Sequence, residues 1–327
     1  YMQSKLLNFP DQLKWQPVIV GGGAISPAKF YLLCGMGGSA LAGGLLTVCE
    51  PTIPLAIHRD YGLPPLTKFD SQPSPLVIIS SFSGNTEETL DAYDSARAAG
   101  RSLISITAGL PDGKAGGELL ARARRDSVPH IILPVPTIPP RLAVGYFLKA
   151  LALITGASPV ATELEALAAN LDWPTLESDG RALAGRLLNR LPLIYSSQRY
   201  APLAYFWKIM LNETAKIPAF SNVVPEQNHN ELESLGHSPA TPFTVIILAG
   251  EDDHSRVTRR FASLIDVLSP LNVPIEQVFL TGATSTGRVI NSILLASFTA
   301  LALAETRGID PSATSVIEDF KRRLTNQ

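Results

Sequence analysis

The chain has 327 residues, of which 46% are hydrophobic and 17% charged, and its formal net charge is −2. That apolar share can build a real core, which excludes a disordered chain, and the length suggests about two domains. With no run of Lys or Arg, binding of nucleic acid through phosphate neutralisation is excluded as a general mode.

The low charge content points instead to surface buried against another subunit. The most apolar run, residues 293–304, falls short of the roughly 20 residues that cross a bilayer. Cys34 and Cys49 are the only cysteines. Two thiols make neither a disulfide framework nor a zinc site, so a reducing cytoplasm is expected. No basic segment followed by an apolar one opens the chain, so no signal peptide is expected.

In chain order, residues 30–34, 53–57, 76–80, 102–107 and 130–134 are short runs rich in Leu, Ile or Val. Bounded by Gly, Pro or Ser, they read as buried strands. Helical patterns over 40–48, 86–99 and 115–124 alternate with them. Such alternation predicts an α/β fold: parallel strands, right-handed crossovers, and helices on both faces. A helix over 141–154 follows Pro139-Pro140 and stops at Gly156.

Composition then shifts to an Ala/Leu/Glu-rich stretch over 161–171, broken by Trp173-Pro174. The expected division is therefore 1–156 and 157–327. The second half repeats the alternation, with strands over 192–196, 244–249 and 275–281 and helices over 200–213, 253–268, 286–307 and 312–324. Residues 217–241 are polar and aperiodic, and so long a loop in a compact domain is expected to be either functional or an element misread as a loop.

Three motifs carry chemistry. In Cys34-Gly-Met-Gly-Gly-Ser-Ala40 a strand runs into glycines and then a helix. Glycines let the backbone approach a ligand, and a helix N-terminus offers free N–H groups to an anion. The same residues fit the dinucleotide pattern G-x-G-x-x-A, with Asp60 in the acidic window, so an NAD(P)-dependent dehydrogenase is a rival reading. In Ser80-Ser-Phe-Ser-Gly-Asn-Thr86, the hydroxyls of Ser81, Ser83 and Thr86 can converge on a phosphate at the next helix start. A capping turn needs one hydroxyl, not three, and a dinucleotide fold needs no second such loop, so the two loops together favour a phosphorylated small molecule over NAD. The third motif runs from Asn212-Glu213 through His229 to Glu231. Asn, Glu and His in one irregular segment can place an acid and a base around a polar substrate. The plainer alternative pairs Glu213 with Lys216 or Lys208 on its own helix.

With these residues in place, the sequence resembles the bifunctional phosphoglucose/phosphomannose isomerases, which are built from two sugar isomerase (SIS) domains. The matching segments are Gly35-Met-Gly-Gly-Ser39, Ser81-Phe-Ser-Gly-Asn-Thr86, Pro140-Arg141, Asn212-Glu-Thr-Ala-Lys-Ile-Pro218, Pro225-Glu-Gln-Asn-His-Asn-Glu231 and Gly308-Ile-Asp-Pro311 with Lys321. The resemblance implies two tandem flavodoxin-like SIS domains, each a mainly parallel sheet flanked by helices. It further implies that Gly37, Gly38 and Ser39 line the sugar and that Ser81, Ser83 and Thr86 hold the phosphate. Arg141 would stabilise an enediolate, Glu213 would move the proton between C1 and C2, and His229 with Lys321 would open the ring. His229 is expected from the neighbouring subunit, hence a homodimer with shared active sites. No cofactor and no metal are implied. A non-catalytic phosphosugar-binding protein is the other rival; it would keep the phosphate loop and could dispense with Glu213, Arg141 or His229. The stretch 301–307 is less aromatic than the family pattern, and Lys321 lies on a terminal helix where pairing with Glu318 is the alternative.

Overall fold

Strands that are apolar on both faces must be covered on both, and the central strands of the two sheets are of this kind. The structure, a computed structural model, describes residues 6–22, 28–65, 74–109, 117–134, 138–237 and 242–325. The chain divides into two compact units, the first Leu7–Leu171 with Thr284–Gly287, the second Asp172–Ala283 with the chain from Arg288.

The first unit holds strands β1 (Ile19–Val20), β2 (Tyr31–Gly35), β3 (Leu55–His58), β4 (Leu76–Ser81), β5 (Leu103–Ala108) and β6 (His130–Leu133). Their order is β1-β6-β5-β4-β2-β3, parallel except for β1, which pairs antiparallel with β6. Every residue of β2, β4 and β5 is buried, as their apolar runs require. One face of this sheet packs Leu32, Val77 and Ile79 against Tyr93 and Ala96 of the Glu87–Ala98 helix. The Val144–Thr155 helix ends at Gly156, whose φ of 73° is the left-handed C-terminal turn that glycine adopts most readily. The Ser158–Leu167 helix then folds back against it, so the unit runs on to Leu171.

The second unit holds β7 (Leu191–Ser197), β8 (Phe220–Val224), β9 (Phe243–Ala249) and β10 (Ile275–Phe279), all parallel in the order β10-β9-β7-β8. Tyr195, Val245 and Ile247 pack against Phe261 and Leu264 of the Ser255–Leu268 helix. Two elements depart from the sequence reading, and a third, the helix expected over 286–307, is found as Ser285–Thr306. Trp173-Pro174 starts a helix, Trp173–Leu187: proline suits a first turn, and Asp172 caps it by accepting the Thr175 N–H at 3.2 Å. Strand β8 lies inside the aperiodic stretch 217–241. The Ser285–Thr306 helix is by length and composition long enough to cross a bilayer, and 72% of its most apolar window is buried in the protein.

Both sheets reverse direction in the same way. From β2 the chain crosses to β3 on one side, then returns to β4 on the other; β7, β8 and β9 do likewise. Such a reversal opens a crevice at the carboxyl ends of the central strands, where α/β proteins bind ligands.

Candidate functional site

In the first unit that crevice is walled by the loops after β2 and β4. Strand β2 ends at Gly35, and Gly37, with φ 47°, turns the chain into the Gly37–Cys49 helix. Strand β4 ends at Ser81, and the loop through Thr86 opens the Glu87–Ala98 helix. The Ser39 hydroxyl accepts the Phe82 N–H at 2.9 Å, and the Ser80 hydroxyl donates to the Ser39 carbonyl at 3.1 Å. These two bonds lock the glycine loop to the hydroxyl loop. Ser39 is 5% exposed, so it is as much a strut between loops as a group facing a ligand.

Within the hydroxyl loop, Ser81 Oγ lies 2.9 Å from Thr86 Oγ1 and accepts the Gly84 N–H at 3.1 Å. Ser83 Oγ accepts the Asn85 N–H at 3.2 Å. Thr86 is the N-cap of its helix but makes no side-chain cap bond, because its hydroxyl is turned to Ser81. First-turn N–H groups and these hydroxyl protons are the donors a phosphate needs at a helix N-terminus. Arg141, 3% exposed, belongs to the short turn Pro140–Leu142, whose backbone packs on Gly38. A Cβ at Gly38 would lie 3.0 Å from the Pro140 carbonyl carbon and 3.1 Å from the Arg141 nitrogen. Hydrogen bonds and close backbone contacts thus join the glycine loop to the hydroxyl loop and to the Arg141 turn at the carboxyl ends of β2 and β4.

Three supporting residues have no role in the sequence reading, although Ser80 and Asn85 stand inside its second motif. Ser80 joins the loops, Asn85 Oδ1 accepts the Glu118 N–H at 2.9 Å, and Gly117 touches the loop backbone, where a Cβ would lie 2.3 Å from the Ser83 carbonyl oxygen. A serine pair ending an apolar strand was the one available signal for Ser80. Asn85 and Gly117 are brought together only by the fold.

The second unit carries Glu213, His229 and Lys321. Glu213 ends the Ala201–Glu213 helix, and the following turn is folded by side chains bonding to main chain. Asn212 Oδ1 accepts the Ala219 N–H at 2.8 Å. Lys216, at φ 56°, donates from its ammonium to the Glu213 carbonyl and, at 2.5 Å, to the Ala313 carbonyl. Arg307 donates to the Ala215 carbonyl at 2.6 Å. The Lys208 ammonium sits 5.4 Å over the Tyr205 ring. Glu213 lines a cavity of about 870 Å³ with Lys208, Asn212, Lys216 and Ile309. His229 ends the short turn Glu226–His229 and is exposed. Lys321 is exposed on the Ser315–Thr325 helix and is not among the residues lining the Glu213 cavity. On that helix Glu318 accepts from Thr314 at 2.9 Å.

Residues 176–324 match the family model of the bacterial phospho-glucose isomerase C-terminal SIS domain. A crystal structure of a glucose-6-phosphate isomerase like protein from Thermus thermophilus shares the fold, with a TM-score of 0.63 at 20% identity over 98% of this chain and 94% of that one. The sheet architecture and the family match over residues 176–324 together define an α/β protein of the SIS-domain class. The bifunctional phosphoglucose/phosphomannose isomerase of Caldicellulosiruptor bescii is 33% identical over 90% of this chain and 88% of its own length. That of Aquifex aeolicus is 30% identical over 97% and 96%. This chain belongs to the bifunctional phosphoglucose/phosphomannose isomerase family.

Proposed function

We propose that the chain is an intramolecular oxidoreductase that interconverts glucose 6-phosphate, mannose 6-phosphate or both with fructose 6-phosphate through an enediolate. The observation that carries this reading is the first-unit crevice: a hydroxyl loop at a helix N-terminus, locked to a glycine loop and flanked by the Arg141 turn, in a chain of this family. Ser81, Ser83 and Thr86 hold the phosphate, while Gly37, Gly38 and Ser39 let the sugar lie close to the backbone. Glu213 takes the proton from the carbon next to the carbonyl and returns it to the neighbouring carbon. The charge that develops on the sugar oxygens is largest in the transition state, so a guanidinium such as Arg141 lowers the barrier more than it tightens binding. His229, donated by the partner subunit of a homodimer, and Lys321 exchange the protons that open the ring. The reaction so written needs neither metal nor cofactor, and a reducing cytoplasm suits the free thiols of Cys34 and Cys49.

A coupled assay with glucose 6-phosphate and with mannose 6-phosphate, each with and without EDTA, tests the reading. Turnover of at least one sugar, unaffected by EDTA, is expected. Binding without turnover would leave a phosphosugar-binding protein, and loss of turnover in EDTA would overturn the metal-free chemistry.

A further inference from the structure

The segment that carries His229 is tied down at nearly every polar side chain except that of His229. Glu226 accepts from the Asn230 amide at 3.1 Å, and buried Gln227 accepts from the Asn228 amide at 2.7 Å. Arg260 donates to Asn228 Oδ1 at 3.2 Å. Glu231, two residues beyond His229, is gripped by both carboxylate oxygens. The Tyr195 hydroxyl donates to Oε2 at 2.7 Å and the Asn222 amide to Oε1 at 2.6 Å.

Tyr195 and Asn222 are register partners on the parallel strands β7 and β8, so their side chains stand next to each other on one face. The chain therefore leaves β8 at Val224, makes the His229 turn, and is bolted back to β8 at Asn222. Burial and the Glu231 carboxylate push the Tyr195 hydroxyl well above its ordinary range, which keeps it a donor. Among the described residues the exposed His229 imidazole has no hydrogen-bond partner. An imidazole on a loose loop would lose conformational freedom at each turnover, whereas a pinned loop has lost it on folding.

We propose that Glu231 is a positioning residue: clamped by Tyr195 and Asn222, it fixes the turn that presents His229 to the sugar ring. The proposal rests on His229 as the ring-opening residue. Five proteins test it: wild type, Glu231→Gln, Tyr195→Phe, His229→Ala and the Glu231→Gln/His229→Ala double variant. The measurements are kcat and KM for fructose 6-phosphate, the anomerisation rate of glucose 6-phosphate by NMR exchange, and amide hydrogen exchange over residues 226–230.

Glu231→Gln should lower kcat and anomerisation together by roughly 10- to 100-fold, with KM within about twofold of wild type. Amide exchange over 226–230 should accelerate about tenfold or more. Tyr195→Phe, which keeps the buried ring, should move every readout in the same direction and stands in if Glu231→Gln fails to fold. In the double variant Glu231→Gln should cost nothing beyond His229→Ala, because a residue acting through another has no effect once that one is gone. Wild-type kcat in Glu231→Gln and Tyr195→Phe, or an equal loss with and without His229, would overturn the proposal. A slow His229→Ala beside an unimpaired Glu231→Gln removes the clamp alone. A silent His229→Ala removes the ring-opening assignment and the clamp's role with it.

Discussion

The roles proposed for Glu213 and the hydroxyl loop can be separated by experiment, because a proton-transfer base and a phosphate anchor serve different terms of the rate. Glu213→Gln keeps size and hydrogen bonding but removes the basic oxygen. Fructose 6-phosphate should still bind, while turnover falls by roughly 10²-fold or more, the usual contribution of a positioned base. Exchange of the substrate C2 proton with deuterated solvent, followed by NMR, should vanish in parallel; exchange and turnover near wild type would make Glu213 a structural carboxylate. At the hydroxyl loop the expected split is the reverse. On the proposed reading Ser83 and Thr86 would each offer a hydroxyl to a charged group, and such bonds contribute about 1.5–3 kcal/mol each. Ser83→Ala/Thr86→Ala should therefore raise KM strongly for sugar phosphates. Inorganic phosphate should raise the melting temperature of wild type but not of this variant, and equal stabilisation by free glucose would remove the phosphate assignment.

The loop owes its shape to neighbouring elements as well as to its own residues. Gly117 opens the Gly117–Arg125 helix at φ 63°, with the Ser83 carbonyl where a Cβ would stand. Gly117→Ala meets backbone on one side and an unfavourable left-handed conformation on the other. The hydroxyl loop must shift, so KM should rise severalfold while the melting temperature falls by only a few degrees, measurable by steady-state kinetics and calorimetry. A similar close approach holds two helices of the second unit together. A Cβ at Gly180 would lie 2.6 Å from Phe298 Cβ, so Trp173–Leu187 packs directly on Ser285–Thr306. In each case a glycine marks where one element's backbone sets another's position.

For the whole molecule, acid stability follows from the carboxylates the fold pairs. At the carboxyl ends of β7 and β9, Asp252 accepts from the Tyr200 hydroxyl and pairs with Arg199 at 3.0 Å and Arg288 at 3.1 Å. Burial alone would raise its carboxyl, but Tyr200, Arg199 and Arg288 outweigh burial and hold it below the usual value. A carboxyl lowered on folding contributes stability above its unfolded value, and that contribution disappears as pH falls through the folded one. Asp253 runs the other way: burial raises it, so its contribution is present in acid and lost as pH rises through its folded value. The melting temperature should drop below about pH 4, and Asp252→Asn should lower it at pH 7 and flatten the acid limb. An Asp252→Asn melting profile parallel to wild type would refute that origin. At the same scale, light scattering at micromolar concentration should give a dimer; a monomer would remove the shared site.

The sequence by itself determined the buried strands, the two Gly/Ser loops and the family. Strands covered on both faces must be apolar along their whole length, and loops that cradle anions must be glycine and hydroxyl; both demands are local and leave a local mark. What the tertiary structure decided was partnership. Strand β8 hides in a polar stretch because it is an edge strand and its Asn222 serves Glu231 instead of a core. Trp173-Pro174 reads as a break but starts a helix, since proline fits a first turn as well as a loop. Ser39 looks like a ligand group, and the fold also uses its hydroxyl to dock Phe82, 43 residues away. Asn85 meets Glu118 across 33 residues, and Gln12 meets Leu142 across 130. Patterns of 2 and 3.6 residues record which face is buried. They carry no record of what lies against it, because that is set by chain reversals between sheets and helices far apart in sequence.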